Sequence, residues 1–514
     1  MNQTTNQRKY KKITAWIAVI TMLFTIFSPI GAGKVAKAAL SPLQYYQNVE
    51  NANVNKQIDS LTEKYSTYIK TYQESLKKEV GAEVTLKATL DPSIATSLGA
   101  PDLKTLKASV ITMVKGNKTK ASMNFYTNDK QLTCAEAYAD MNDLNGLYYY
   151  LIPDLSSSFL KVSMKDLYGN YGSDVTSAKL QEQMLNYFNN PVTADTLNTT
   201  LKKYSALAIN QITDVAMKEN ETLSVDQLSD EYTKLNVQMN ERTALTIAND
   251  IVKTAKTDES LKSIFVDSGL CTKTEYDKAM KDAIKDIEKD LKALKKSDGP
   301  NVFTMSIWVD KNDKIVGRSI VMKDGKDYFK FGYKTVKKGT TMAIDAWAGD
   351  KTEILQAKGS FTANLSGATG NVKLYIPNST KKTPDVINIE FKDLKYTLNN
   401  NSGLINGDIN ITSKLFDGVS FKINCKGDLI KQDFVCDVRK DAKSFVNITM
   451  TVKEIPYEDF ILPVSTDKSY DMVTQMDKYL QDADMKGFLL KIKERSDVKA
   501  IDDYVDALLK TYAE

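Results

Sequence analysis

The sequence contains no histidine among its 514 residues. This absence excludes Ser-His-Asp and Cys-His catalysis, histidine metal ligands and imidazole-based pH switches. Arginine is also scarce: five of the 69 basic residues are arginine, whereas lysine and asparagine are abundant. Such a bias is typical of an AT-rich genome, and with the N-terminus described below it predicts a Gram-positive source.

Cysteine is rare too, with four residues in the chain: Cys134, Cys271, Cys425 and Cys436. Their spacing matches no zinc motif. Cys425 and Cys436 flank the turn sequence GDLIKQD, so they are expected on neighbouring strands of a hairpin. A Cys425–Cys436 disulfide is one alternative. Free thiols in a core are the other.

Long apolar runs are missing except near the N-terminus. There, basic residues 8–12 precede an apolar stretch from Ile13 to Phe27, and Ala36-Lys37-Ala38 supplies small residues for a signal peptidase. This pattern predicts a signal peptide over residues 1–38. The mature chain is then expected to be secreted, either extracellular or associated with the cell surface, and to have no transmembrane segment.

The excess of basic charge belongs to that N-terminal segment. The whole chain has a net charge of +4, but residues 39–514 hold 63 basic and 65 acidic side chains. The mature protein is therefore slightly acidic, which gives no support for a nucleic-acid partner.

The period of the apolar residues changes along the chain. Residues 39–170 are predicted to form a long N-terminal helix followed by antiparallel strands, because helical spacing over 54–76 gives way to short β-like runs. Helical spacing returns over 171–299, with KLNVQM as an isolated strand candidate. We interpret this segment as a helical insert.

Residues 300–460 are predicted to be an antiparallel β meander, and 461–514 to form C-terminal helices. Val446, Ile448, Met450 and Val452 alternate with polar residues, so one face of each strand should be apolar and the other polar. The predicted fold class is α+β: a curved, half-barrel-like antiparallel sheet, or more than one, with long amphipathic helices packed on one face.

The stretch GLYYYLIPDLSSSFLKV (146–162) is predicted to be two strands and a turn. Proline cannot donate to the ladder, so it marks a strand end, and tyrosine suits a half-buried strand. Ser158 and Lys161 also match the S-x-x-K pattern of penicillin-recognising enzymes. That motif begins a helix and needs further motifs that this chain lacks, so a chance match is favoured.

Three other patterns have ordinary structural explanations. Asp310, Asn312 and Asp313 fit a polar hairpin turn better than a calcium loop. Glu136 and Asp140 could form a glycosidase pair, but a solvated strand face is the better interpretation. The 26 tyrosines are expected to be amphipathic core residues more than sugar-stacking surfaces.

The apolar strands that end at proline, the VDKNDKIVGRSI hairpin (309–320) and the one-sided meander carry a resemblance. By this pattern the chain resembles uncharacterised secreted clostridial-type proteins of Firmicutes, classed as a domain of unknown function. Those proteins resemble LolA- and LppX-type carriers. The resemblance covers most of residues 40–460 and implies a half-barrel with helices across its mouth. This chain is larger than the carriers, has the helical insert and lacks a lipoprotein cysteine.

These observations predict a non-enzymatic protein without cofactor or metal. The first hypothesis is binding of a lipid or other apolar ligand at the cell envelope. The alternative is a cell-wall-associated adhesion or structural protein with a cell-wall component as its partner. The expected ligand-lining residues are Phe329, Phe331, Val446, Ile448 and Met450.

Overall fold

The computed structural model describes residues 40–511 except 76, 141–146, 164–190, 295–296, 326, 352, 379–382, 400–401 and 465–466. The predicted signal peptide, residues 1–38, lies outside the described residues. The described chain is an α+β protein, with nine α-helices and twenty strands in a large, mostly antiparallel sheet. The predicted fold class is confirmed at this level.

The described helices cluster near the N-terminus, in the middle and at the end of the chain. They are α1 (Pro42–Ser75), α2 (Pro92–Ser97), α3 (Ala194–Asn210), α4 (Glu241–Thr257), α5 (Glu259–Val266), α6 (Lys273–Ala293), α7 (Met476–Asp482), α8 (Met485–Arg495) and α9 (Lys499–Thr511). None of them combines the length and the apolar composition that crossing a bilayer requires.

The strands fall into three groups along the sequence. The first six are β1 (Glu79–Leu90), β2 (Thr105–Lys115), β3 (Lys118–Thr127), β4 (Lys130–Asp140), β5 (Leu147–Leu151) and β6 (Phe159–Ser163). The hairpin of β7 (Asp214–Val225) and β8 (Leu228–Asn240) follows. The remainder are β9 (Asn301–Val309), β10 (Ile315–Asp324), β11 (Asp327–Lys338), β12 (Thr341–Gly349), β13 (Ile354–Ala363), β14 (Ala368–Ile376), β15 (Asp385–Asn399), β16 (Ser402–Ser413), β17 (Val419–Gly427), β18 (Lys431–Lys440), β19 (Lys443–Ile455) and β20 (Ser469–Asp471).

The chain divides into two compact units. Unit 1 contains the described residues of 40–69, 191–365 and 370–388, and unit 2 contains those of 70–163, 366–369 and 389–511. The units cut across the segments expected from sequence. The segment 171–299, expected to be a helical insert, also contains the β7–β8 hairpin, in which KLNVQM pairs with both β7 and β9.

In unit 1, strands β7 to β13 pair in chain order, each antiparallel to the next. One face of β8, β9 and β10 forms a single buried cluster with residues of α1, α3, α4 and α6. Tyr45, Tyr46, Phe303 and Met305 are among its largest fully buried side chains. Burial of this much apolar surface is the main source of stability for the unit.

Buried polar contacts fix α1 against β10 in this core. Arg318 forms a bidentate ion pair with Glu50, with nitrogen–oxygen distances of 2.6 and 2.9 Å. Burial alone lowers the pKa of Arg318, but the Glu50 carboxylate more than offsets this effect, so the pKa lies above its ordinary value. The Tyr45 hydroxyl donates to Asp313 Oδ1 at 2.6 Å. Asp310 Oδ1 accepts hydrogen bonds from the backbone N–H groups of Asn312 and Lys314. The segment that contains Asp310 and Asn312 therefore forms the predicted polar turn.

In unit 2, β16 to β19 pair in chain order, β19 then pairs with β1, and β1 to β6 continue the ladder. At the β6 end of this ladder, the short strand β20 pairs with β6 in parallel. The β1–β19 pairing therefore joins early and late strands in one ladder. Gly81 in β1 permits this, because a Cβ there would lie 2.7 Å from the Ile455 carbonyl oxygen.

The tyrosine-rich stretch 146–162 forms the predicted hairpin. Within it, β5 and β6 pair antiparallel from Leu147 opposite Ser163 to Tyr150 opposite Leu160. Ser158 is buried just before β6, and Lys161 lies within that strand, so the S-x-x-K pattern does not begin a helix. This geometry supports the chance match.

Candidate functional site

The clearest unusual surface of the molecule is an apolar sheet face in unit 2. Alternate side chains of β1, β2, β3, β17, β18 and β19 share this face because of their register. We define the apolar sheet face by Val84, Leu86, Ala88, Leu90, Leu106, Ala108, Val110, Met123, Phe125, Phe421, Ile423, Cys425, Phe434, Cys436, Val438, Val446, Ile448, Met450 and Val452.

The residues of this face form cross-strand rows. One row runs Phe125–Ala108–Leu86–Met450–Phe434, each opposite the next on the neighbouring strand. A second row contains Ala88, Ile448, Cys436 and Ile423. Cross-strand apolar pairs of this kind stabilise a sheet, and here they also form a continuous surface.

Five of the nineteen residues of the face are exposed, all of them on β1, β2, β3 and β19. The exposed fractions are 38% for Val84, 49% for Leu86, 42% for Leu106, 43% for Phe125 and 37% for Val452. The buried clusters among the described residues of unit 2 lie around Leu103 and Val498, where Leu90 packs at one end of the face, and around Leu160 and Tyr479. The centre of the face therefore lacks a cover among the described residues of this unit.

The opposite face of the same strands is polar, yet it is more shielded. In β1, Val84 and Leu86 are exposed whereas Glu83, Thr85 and Lys87 are half-buried. Lys453 pairs with Glu83 at 2.7 Å, Lys120 pairs with Glu136 at 3.0 Å, and the Thr451 hydroxyl donates to Asp433. Single exposed apolar residues are ordinary on protein surfaces, but a contiguous apolar patch marks an interaction site.

The face is of moderate size. Strands are spaced by about 4.8 Å and each residue rises about 3.3 Å, so six strands and four rows span about 24 Å by about 20 Å. The resulting area of about 500 Å² is smaller than the roughly 800 Å² that each partner buries in a standard protein–protein interface.

The five residues predicted to line a ligand site lie in different units. Val446, Ile448 and Met450 belong to the apolar sheet face of unit 2. Phe329 and Phe331 lie on β11 in unit 1, where their ring centroids are 5.8 Å apart and Phe331 packs against the main core. The structure thus brings three of the predicted residues together.

Strands β1, β2 and β3 supply residues of the face that sequence reasoning missed. Val84, Leu86, Ala88 and Leu90 alternate with polar residues as clearly as those of β19 do. The alternation could have identified β1 as one-sided. Its pairing with β19, more than 350 positions away, has no local signal in the sequence.

The two cysteines of the predicted hairpin also lie on the apolar sheet face, but they are not bonded. Cys425 lies opposite Phe434, and Cys436 lies opposite Ile423, so the two thiols are offset by two residues along the strands. In the structure both thiols are free. Burial raises the pKa of both thiols, and a neighbouring aspartate adds to the effect in each case.

Unit 2 also contains an open groove of about 430 Å³ across β15 to β18, with both polar and apolar residues in its lining. Its lining residues are Glu390, Phe391, Lys392, Asp408, Ile409, Asn410, Lys422, Ile423, Asn424, Val435 and Asp437. The Asn424 amide donates to Asp408 at 2.7 Å and the Asn410 amide donates to Glu390 at 3.3 Å. Such groups can hydrogen-bond a polar ligand.

The remaining sequence candidates have structural partners. Glu136 accepts a hydrogen bond of 2.7 Å from the Tyr138 hydroxyl and pairs with Lys120. Burial and this hydrogen bond raise the pKa of Tyr138.

Within the part of the chain that the structure describes, no group of three or more His, Cys, Asp or Glu residues has an arrangement that could hold a metal ion.

No family model matches the chain, and no curated protein matches it. The function of the apolar sheet face therefore has to be inferred from its own geometry.

Proposed function

We propose that this chain is a secreted, non-enzymatic protein that binds a lipid or other apolar ligand at the cell envelope through the apolar sheet face. The observation that carries the proposal is the continuous apolar surface across six strands of unit 2, on which five large side chains are exposed. We also propose that the sheet curves like a half-barrel and that helices pack on one of its faces.

The chemistry of the face favours an acyl chain over a polar ligand. Its members are aliphatic or aromatic apart from two thiols, so binding would depend on apolar burial, which stabilises by about 25 cal/mol per Å². A buried methylene contributes about 0.8 kcal/mol, so affinity should rise about fourfold per added methylene until the face is covered. The area of about 500 Å² suits a small amphiphile better than a protein partner.

Native mass spectrometry of the purified protein, followed by solvent extraction, is the first test. A bound lipid-sized species would support the proposal and identify the ligand class. For the binding step itself, a fatty acid is added to delipidated protein and its uptake is measured. A bare mass together with no uptake would contradict the proposal.

A pair of variants on one strand locates the binding surface. Leu86→Lys places a charge at the centre of the face, and Thr89→Lys places the same charge at an exposed position on the polar face of β1. We expect Leu86→Lys to weaken uptake at least tenfold and Thr89→Lys to change it less than twofold. Equal effects of the two variants would show that the lipid binds elsewhere. A stable dimer that Leu86→Lys dissociates would identify a second copy as the occupant.

The groove across β15 to β18 supports the second candidate function, adhesion to a cell-wall component. Its carboxylate and amide groups can hydrogen-bond a polar polymer. Sedimentation of the protein with insoluble peptidoglycan tests this alternative, with Asn424→Ala as the groove variant. Binding that is lost in Asn424→Ala and retained in Leu86→Lys would favour adhesion.

The proposed localisation has its own test. N-terminal sequencing of the protein recovered from culture medium or from the cell surface should give a chain that begins at residue 39. Recovery of the whole protein in the cytosol with residues 1–38 attached would contradict secretion.

A further inference from the structure

Both tryptophans outside the predicted signal peptide contact one lysine in unit 1. The chain has three tryptophans, and Trp16 lies in residues 1–38. The Nζ atom of Lys334 on β11 lies 4.8 Å from the ring centroid of Trp308 on β9 and 5.4 Å from that of Trp347 on β12. Lys234 on β8 lies 5.4 Å from the Trp308 ring. Two ammonium groups thus converge on one indole.

Glycines on the intervening strands leave room for these rings. Gly317 on β10 lies between Trp308 and Lys334 in the register, and a Cβ there would lie 3.1 Å from the Trp308 ring. Gly332 lies opposite Trp347, and a Cβ there would lie 2.9 Å from that ring. A side chain at Gly317 would crowd the Trp308 ring, whereas one at Gly332 would meet the Arg318 carbonyl oxygen before the Trp347 ring.

The site borders a buried apolar cluster. β7 contacts β11 and β12. The Ser360 hydroxyl on β13 also donates to Asp226, in the β7–β8 turn, at 2.9 Å. The buried residues of the cluster are Leu223, Val225, Tyr232, Trp308, Val316, Val336 and Ala343. Trp308 is itself buried in this cluster, and the two lysines lie near its ring.

The charge on Lys334 is incompletely compensated. Its Nζ makes no hydrogen bond or ion pair with any residue that the structure describes, and the side chain is half-buried. Burial lowers the pKa of Lys334, nearby Asp345 opposes this effect, and Lys234 adds to the lowering. Lys234 has Glu221 as a partner at 3.8 Å. Two indole faces attract a cation but supply no oxygen acceptor.

We propose that Lys334, Lys234, Trp308 and Trp347 form a binding site for a small organic anion. The carboxylate, phosphate or sulfate group of the anion would accept hydrogen bonds from the two ammonium groups, and its apolar body would lie against the half-buried Trp347 ring. Charge-assisted hydrogen bonds of this kind are stronger than those between neutral groups. This site lies in unit 1 and goes beyond the lipid-binding function proposed for unit 2.

The tryptophans provide a specific readout. In protein produced without residues 1–38, Trp308 and Trp347 are the two tryptophans, so intrinsic tryptophan fluorescence reports on this site. Phenyl phosphate is the probe, and benzyl alcohol and benzyltrimethylammonium are its neutral and cationic counterparts. We expect saturable binding of phenyl phosphate that weakens with salt, because salt screens charges. The two counterparts should bind at least tenfold more weakly.

Lysine variants complete the test. Lys334→Met should weaken phenyl phosphate binding at least tenfold, and Lys334→Arg should retain most of it. Lys337→Met, at an exposed position on the other side of β11, should leave it within twofold of the parent. If Lys334→Met unfolds, Lys234→Met replaces it with the same expectation. Unchanged binding in the lysine variants, equal binding of benzyl alcohol, or no fluorescence response would overturn the proposal.

Discussion

The two units of this chain use the same one-sided strand pattern, but they treat its apolar face differently. In unit 1, Leu235, Phe303 and Ile307 are each 0% exposed, whereas Leu86 of unit 2 is 49% exposed. All four residues lie on strands, and their apolar neighbours are on the same face. Alternation thus determines which side chains share a face, and it does not determine whether that face is covered.

Helices make the difference. In unit 1, residues of α1, α3, α4 and α6 join the strands in one buried cluster. In unit 2, described helical residues are buried in two small clusters, around Val498 of the α8–α9 connection and Tyr479 of α7. A sheet face without a covering layer exposes apolar surface, and such a surface is a functional candidate or a liability.

The two units should differ most in the free energy of unfolding that is lost when an ion pair is broken. In unit 1, Glu50→Ala removes the partner of the buried Arg318 guanidinium, so we expect the free energy of unfolding to fall by about 3–5 kcal/mol. In unit 2, Glu83→Ala breaks an ion pair in which Lys453 is 42% exposed, and it should cost less than about 1 kcal/mol. Urea unfolding of both variants measures the difference.

Glu63→Ala on the exposed side of α1 is the control for helix propensity and net charge, and its effect should be within about 0.5 kcal/mol. If Glu50→Ala were as mild as this control, the buried ion pair would not fix α1 on the sheet.

Truncation of one leucine in each unit sharpens the comparison of the two faces. Leu235→Ala should destabilise by about 2–5 kcal/mol, because it removes buried contacts and leaves a cavity. Leu86→Ala should change stability by less than about 1 kcal/mol, because water already reaches that side chain. Thermal and urea unfolding monitor both variants. A large loss from Leu86→Ala would mean that something covers the face.

High pH should affect a tyrosine contact in unit 1. The Tyr276 hydroxyl donates to the Ala255 carbonyl at 2.7 Å, and burial, with Asp258 adding to it, raises the pKa of Tyr276 to about 12. The folded pKa exceeds the unfolded value of about 10, so this stabilisation is complete below pH 10 and is lost as the pH rises towards 12.

Tyr276→Phe should therefore cost about 1 kcal/mol near neutral pH, and the cost should shrink as the pH passes 10. Urea unfolding of parent and variant at several pH values gives this difference. Tyr68→Phe, at an exposed position of α1, should change stability little at any of them. A cost for Tyr276→Phe that grows with pH would contradict the assignment.

The smallest expected effect is that of a reductant. All four cysteines are free, so adding dithiothreitol should leave the melting temperature unchanged, and alkylation after unfolding should modify four thiols per chain. A disulfide typically stabilises by about 2–4 kcal/mol, so a clear drop in melting temperature on reduction would show that Cys425 and Cys436 are bonded after all.

Local patterns in the sequence predicted local structure well. The helix is present from 54 to 75, the hairpin over 147–162 and the alternation over 446–452. The pattern was less reliable for burial: Tyr68 follows the helical period and is nevertheless exposed. The β1–β19 pairing could not be predicted, because pairing between distant strands depends on the whole chain. The local pattern likewise gives no signal that Phe329 and Val446 belong to different units.

Photolabelling with a fatty acid that carries a diazirine on its acyl chain is the most direct test of ligand binding at the apolar sheet face. The labelled peptides of the purified protein would be identified by mass spectrometry. We expect labels on peptides from β1, β2 and β19, and their loss in Leu86→Lys but not in Thr89→Lys. Labels confined to unit 1, or no labels above those of a denatured control, would contradict a ligand role for the apolar sheet face.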